Sequence, residues 1–174
     1  MSSKNYLSIY AKSFNWAGFF LPKKTYKNCS YLYDFCRVVD NIADDEDEIE
    51  IKKIKFQKFV SDFKQKNFEN PIIQNMWNII HEFNISLEII YDLFDGIESD
   101  IKQNVKIDTR KDLLIYCYRV AGTVGLMMAK ILKVSKKQSL KSAIDLGIAM
   151  QLTNISRDVI EDSKKNRSYI NGNF

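Results

Sequence analysis

The chain has 174 residues, of which 45% are hydrophobic and 28% charged, and a formal net charge of +4. That length holds one domain with a real core and leaves little room for a second. Two prolines and six glycines suit long helices better than a turn-rich sheet protein. The charge is mild and its lysines are scattered, so nucleic acid is not an expected partner. Cys29, Cys36 and Cys117 have no CxxC spacing, which points to reduced thiols and a cytoplasmic setting. Met1-Ser2-Ser3-Lys4 does not open a secretory leader. No uninterrupted apolar run approaches the roughly 18 residues of a spanning helix, so membrane contact is expected to be peripheral only.

Helical spacing dominates the chain and strand-like alternation is rare, which predicts an all-α fold. A first short helix is expected around Tyr6 to Phe20. Pro22 stands at a natural helix start, and a helix from about Lys23 to Ala43 or Asp44 follows. The acidic run Asp44-Asp45-Glu46-Asp47-Glu48 then closes that helix, and its last four residues read as a solvated loop. Another helix covers about Ile49 to Lys64. Asn70-Pro71 breaks the chain before a helix to about Phe83, and Ser86 caps the next, to about Ile101. Thr109-Arg110-Lys111-Asp112 and Ser135-Lys136-Lys137-Gln138 read as capping boxes. They open helices over about Arg110–Leu132 and Lys136–Lys164, the latter long enough to expect a kink near Gly147. Trp16 and Trp77 are expected in the core, and the single histidine, His81, at the surface or in packing.

Two of these helices carry related polar stripes. Asp40 and Asp44 are one helical turn apart and share a face with Tyr33 and Arg37. Asp158 and Asp162 repeat the spacing, preceded on their face by Gln151 and Asn154. A lone acidic pair on a helix is ordinarily a solvated surface. Here the pair occurs twice, and the later one is flanked by Ala143-Ile144, Gly147-Ile148-Ala149-Met150, Leu152 and Ile155, so the carboxylates are expected to face an interior cavity. Buried carboxylates need a cation. One histidine and no thiolate cluster disfavour zinc. Oxygen ligands alone suit Mg2+, with Mn2+ as a substitute, shared between carboxylates and substrate phosphates. Two facing pairs would bridge to a diphosphate through such ions, with Arg37 and Arg157 on the phosphate oxygens.

Between the stripes lies Tyr116-Cys117-Tyr118-Arg119-Val120-Ala121-Gly122-Thr123-Val124-Gly125. Gly122, Gly125 and Ala129 form a narrow stripe of small residues. Each glycine inside a helix costs up to about 1 kcal/mol against alanine. Close helix approach and room for a ligand explain the pair equally well.

In four ordered blocks the chain resembles the phytoene/squalene synthase family. Ser13-Phe14 before Leu21-Pro22 is similar to its N-terminal phosphate-contacting segment. Tyr31 to Asp44 is similar to its first Asp-rich motif, Tyr116 to Gly125 to its central signature, and Leu146 to Asp162 to its second Asp-rich motif. The resemblance implies an isoprenoid-synthase-type helical bundle around a central cavity, formed by one domain over residues 1–174. It also implies head-to-head condensation of two geranylgeranyl diphosphates to phytoene, through a cyclopropyl diphosphate, in carotenoid synthesis. No nicotinamide cofactor is implied. Asp40, Asp44, Asp158 and Asp162 would bind Mg2+–diphosphate, Arg37 and Arg157 would hold phosphate, and Gln151 and Asn154 would belong to the polar wall. Tyr33 and Tyr118 would flank the reacting carbons, with Gly122 and Gly125 shaping the prenyl channel. The family reads several more helices after the second motif, so the chain is expected to be an incomplete domain, a poor catalyst or inactive, with exposed apolar helix faces. The alternatives are squalene or dehydrosqualene synthesis from farnesyl diphosphate, and a non-catalytic assembly or scaffold member. Loss of the motif carboxylates would mark the latter, and all four are present.

Overall fold

The computed structural model describes residues 16, 18, 20–102 and 104–170. Ser13, Phe14 and most of the helix expected between Tyr6 and Phe20 lie outside the described residues. The rest is helical apart from one two-stranded contact. Helix α1 (Lys23–Asp44) follows Pro22, α2 spans Ile49–Lys64, α3 Pro71–Phe83 and α4 Leu87–Asp100. Their ends follow local chemistry. The Asn70 side chain accepts from the Ile72 amide at 3.0 Å, with Pro71 in the first turn. Asn84, left-handed at φ 48°, stops α3. The Ser86 hydroxyl accepts from the Glu88 amide at 3.4 Å and starts α4. The loop after α1 is solvated, with Lys55 paired to Asp45 and Asp47.

Strand β1 (Val105–Lys106) precedes a helical rod made of α5 (Arg110–Cys117), a wide π turn over Tyr118–Gly122, and α6 (Thr123–Ile131). The π turn is not visible in the apolar spacing. Its extra residue per turn lies where the rod packs against both α4 and the last helix, α7 (Lys137–Lys164). Thr109 caps α5 by accepting from the Asp112 amide at 3.1 Å. The second half of the expected box is different, because the Thr109 hydroxyl donates to the Asp112 carboxylate at 2.6 Å and holds it there. At α7 the expected Ser135 cap is not formed. Lys136, extended at ψ 122°, is the residue flanking the helix, which puts Ser135 one position too early. After α7, Asn166 turns left-handed (φ 56°) and leads into β2 (Arg167–Ser168), which pairs in parallel with β1.

The main core is aromatic. Phe35 of α1 packs with Phe59 and Phe63 of α2 and Phe94 of α4, with ring centroids 5.6–6.0 Å apart. Phe63 stacks on Trp77, whose indole N–H donates to the Phe63 carbonyl at 3.0 Å. His81 is exposed beside Trp77. Trp16 departs from expectation: it is 72% exposed and touches Phe20 edge-on, so its indole is outside the core. The 22-residue rod Arg110–Ile131 is, against the apolar-run reading, long and apolar enough to cross a membrane by length and composition. In the fold it packs against α1, α4 and α7 and buries Cys117, Thr123, Met127 and Ile131.

Candidate functional site

Helix α1 turns Leu32, Phe35, Val39 and Ala43 into the core. Its other side carries Tyr33, Arg37 and Asp40, all half-buried, and the exposed Asp44. Arg37 donates to the Asp40 carboxylate at 2.7 Å. Along α7, Gln151, Asn154, Asp158 and Asp162 are half-buried on the side of the buried Gly147 and Ile155. The opposite side presents Leu146, Met150 and Ile160 to solvent. Arg157 points outward and grips Asp158 with both arms of its guanidinium, at 2.7 and 2.6 Å.

A residue outside both stripes joins them. Arg167, just past α7, donates to Asp44 at 2.8 Å and to the Ala43 carbonyl at 3.1 Å. It thereby caps the C-terminus of α1, where a cation is favoured. Its charge also reaches Asp40 and Asp162. Asp40, Asp44 and Asp162 therefore gather at one end of the bundle around one guanidinium, while Asp158, one turn before Asp162, is held by Arg157. They do so at an open rim and not, as expected, inside an enclosed cavity. The side chains of Asp40, Asp44 and Asp158 remain 46%, 37% and 32% exposed. The cause is that α7 is packed on one side only. A shallow pocket beside Asp162 and Arg167, floored by Ile155 and Tyr169, has about 160 Å³. That is below the roughly 300 Å³ at which ordinary ligand pockets begin, enough for a headgroup and not for a prenyl chain.

Electrostatics separates the carboxylates. Burial raises the Asp40 pKa, and the neighbouring Asp44 charge adds to it against the pull of Arg37 and Arg167. Burial likewise raises Asp162, opposed by Arg167. Asp158 is lowered by its hydrogen bonds from Arg157. Burial also raises the tyrosine of the first stripe, Tyr33, which feels Arg37 and Asp40. The Tyr118 hydroxyl donates to Asp92 of α4 at 3.0 Å, which fixes the ring beside Gly122. Of the two open readings of the glycines, the structure shows close approach. A Cβ on Gly125 would meet the Ala143 carbonyl oxygen at 2.3 Å, and one on Gly147 would meet that of Ala121 at 2.4 Å. Gly122 faces Ile144 and Ile148, with the Tyr118 ring beside it.

A second cluster unforeseen in the sequence lies behind Arg167. Asp100, at the end of α4, accepts from Tyr116 and Tyr169, each at 2.8 Å, and the two rings stack at 4.9 Å. Burial pushes the Asp100 carboxyl up to about 6.

Among the described residues, no three acidic, histidine or cysteine side chains converge closely enough to hold a metal ion on their own. The expected facing pairs are thus not a preformed metal cluster, because Asp40, Asp44 and Asp158 each hold an arginine. The donor set still fits a hard cation that keeps waters and completes its shell with substrate phosphate, since only carboxylate oxygens are offered.

The squalene/phytoene synthase family model matches residues 7–172. The chain belongs to that family. A phytoene synthase of Pseudescherichia vulneris is 32% identical over 172 residues, which are 92% of this chain and 55% of that protein. Among solved structures, the squalene synthase HpnC of Alicyclobacillus acidocaldarius superposes with a TM-score of 0.76 at 21% identity, over 92% of this chain and 61% of that one. A dehydrosqualene synthase solved with a ligand gives 0.70 at 29% identity, over 97% and 59%. The chain thus spans little more than half the length of these relatives. The fold is the all-α isoprenoid-synthase bundle.

Proposed function

We propose that this member of the squalene/phytoene synthase family forms the diphosphate-binding part of a prenyltransferase that joins two geranylgeranyl diphosphates into phytoene. The observation that carries this reading is the gathering of both acidic stripes, from α1 and α7, around Arg167. Asp40, Asp44, Asp158 and Asp162 would hold Mg2+, which supplies the Lewis-acid charge that makes diphosphate a leaving group. In the chain alone, Arg37, Arg167 and Arg157 neutralise three of these carboxylates. With substrate, the same guanidiniums would turn to phosphate oxygens, for which their forked donors are suited.

The donor's C1–O bond would break, with both electrons leaving on diphosphate. The acceptor's double bond would attack C1, and loss of a proton would close the cyclopropane. Ionisation of the second C1–O bond, rearrangement and a further proton loss would give the C40 hydrocarbon. Tyr33 and Tyr118 would line the prenyl chain and stabilise positive charge through their ring faces. Gln151 and Asn154 would add polar contacts beside the diphosphate. Gly122 and Gly125 would shape the channel by letting α6 and α7 close together. Such a carbocation needs water excluded, and the exposed side of α7 does not provide that. We place the protein in the cytoplasm, in peripheral contact with the membrane that receives an apolar product.

The test is to incubate this chain, and one lengthened to the size of its relatives, with geranylgeranyl diphosphate and Mg2+ and to identify the hydrocarbon. Phytoene is expected from the long chain and little from the short one. Asp44→Asn and Asp158→Asn should each lower turnover about 100-fold or more, the scale for losing one charge-stabilising group at a reacting centre. Full turnover in EDTA would remove the metal from the reading. The likeness to structures named squalene and dehydrosqualene synthase favours a second reading, with farnesyl diphosphate as substrate. A C30 product from farnesyl diphosphate, and none from the C20 substrate, would establish it.

A further inference from the structure

We infer that Asp100 is a positioning residue for the diphosphate site, acting through Tyr169 and strand β2 to set the Arg167 guanidinium on Asp44, within reach of Asp40 and Asp162. This rests on the diphosphate-binding reading for its purpose and on contacts alone for its geometry. Asp100 touches neither acidic pair by a hydrogen bond. Its two oxygens are used by Tyr116 and Tyr169, side chains of two segments far apart in sequence. Tyr116 belongs to α5, so one side of the clamp is fixed in the helical rod. Tyr169 lies two residues after Arg167, so the other side holds the segment that carries the guanidinium. The stacked rings leave that segment little freedom to slide, and β1 fixes its register. The Val105 amide donates to Asn166 at 3.1 Å and the Ile107 amide to Ser168 at 3.0 Å. Arg167, between these two anchors, reaches Ala43 and Asp44.

A carboxylate is suited to this task. It accepts two hydroxyl hydrogen bonds at once and donates none, so both phenols are oriented toward it. Its negative charge also attracts the Arg167 guanidinium. Asp100→Asn keeps the shape but replaces one acceptor with a donor. Tyr169→Phe removes one hydroxyl and keeps the ring stack, which makes it the milder variant should Asp100→Asn fold poorly.

The test has two readouts in this chain. The first needs no ligand. Hydrogen exchange at the Val105 and Ile107 amides and the Arg167 side-chain Nε–H resonance are followed by NMR in wild type, Asp100→Asn and Tyr169→Phe. Exchange at least 10-fold faster and a displaced Arg167 signal are expected in both variants, with the Phe63 and Trp77 region unchanged. The second readout is binding of inorganic diphosphate with Mg2+ by calorimetry, for Asp100→Asn, Arg167→Gln and the double variant. Each single change should weaken binding about 10-fold, and the double variant should be no weaker than Arg167→Gln alone, the non-additivity of two residues acting as one unit. An unmoved Arg167 resonance in both variants overturns the inference, as does an Asp100→Asn penalty of full size in the Arg167→Gln background. If wild type does not bind Mg2+ and diphosphate while the Arg167 signal moves in the variants, the positioning stands and the diphosphate reading falls.

Discussion

Helices α1 and α7 carry the same chemical pattern, a polar stripe ending in carboxylates one turn apart, and they are held in the fold by different physics. Helix α1 buries eight residues of its 22, including Leu32, Phe35 and Val39, against a cluster of phenylalanines. Helix α7 buries two of its 28, Gly147 and Ile155. One acidic pair is therefore placed by hydrophobic packing, and the other by close backbone contact at glycines and by the polar clamp behind Arg167. Changes in the first region should act on whether the chain folds. Changes in the second should act on where a folded chain puts its charges.

The largest expected effect is in the phenylalanine core. Phe63 is fully buried between Phe35, Phe94 and Trp77. Phe63→Ala should cost about 3–5 kcal/mol, the usual penalty for emptying such a site. Leu152→Ala on the half-buried side of α7 should cost under about 2 kcal/mol. Urea unfolding of the two variants measures the contrast, and equal costs would break it.

The glycine contacts come next. Gly147→Ala puts a methyl group 2.4 Å from the Ala121 carbonyl oxygen, and Gly125→Ala puts one 2.3 Å from that of Ala143. A backbone oxygen cannot rotate away as a side chain can, so α7 must separate from the π turn and α6. Overpacking of this kind costs about 1–3 kcal/mol. Once the first methyl has parted the helices the second costs less, so the double variant should fall short of the sum. Additive losses would mean that the two glycines do not share one contact.

Much of this arrangement was legible in the residues, for local reasons. The starts of α1, α3, α4 and α5 follow Pro22, Asn70-Pro71, Ser86 and Thr109, because caps act over one turn. The inward side of α7 follows from the one-turn spacing of Gln151, Asn154, Asp158 and Asp162. What was missed depends on contacts remote in sequence. Asp100, Tyr116 and Tyr169 meet from three segments, and no spacing rule links them. Arg167 stands next to the second motif, but its partner Asp44 is at the end of the first. The π turn is set by the crossing with α4 and α7, so a periodicity of 3.6 could not reveal it. Ser135 failed as a cap because helix ends are decided by one residue of register, which composition does not fix.

The smallest expected effect is a pH dependence that belongs to the clamp and not to the core. Asp100 rises from the ordinary aspartate value of 3.8 to about 6, chiefly through burial. The hydroxyls of Tyr116 and Tyr169 and the Arg167 charge oppose the shift, and the Asp40 charge adds to it. A carboxyl that holds its proton more tightly in the folded chain than in the unfolded one stabilises the fold in acid. That contribution is whole below about 3.8, shrinks as pH rises, and is gone above about 6. The full shift corresponds to about 3 kcal/mol. Asp100 keeps a part of its surface open to water, which screens the charge, and on the order of 1 kcal/mol should remain. Asp100→Asn has no such proton to lose. Between pH 4 and 6.5, roughly the window of the two values, wild type should therefore lose about 1 kcal/mol more than Asp100→Asn. Asp40 and Asp162 titrate in both chains, so the difference between the two slopes isolates Asp100. Urea midpoints at half-unit pH steps measure it. Parallel slopes would mean that the Asp100 carboxyl is as well solvated as one in the unfolded chain, and that the clamp holds Arg167 by hydrogen-bond geometry with no contribution from burial.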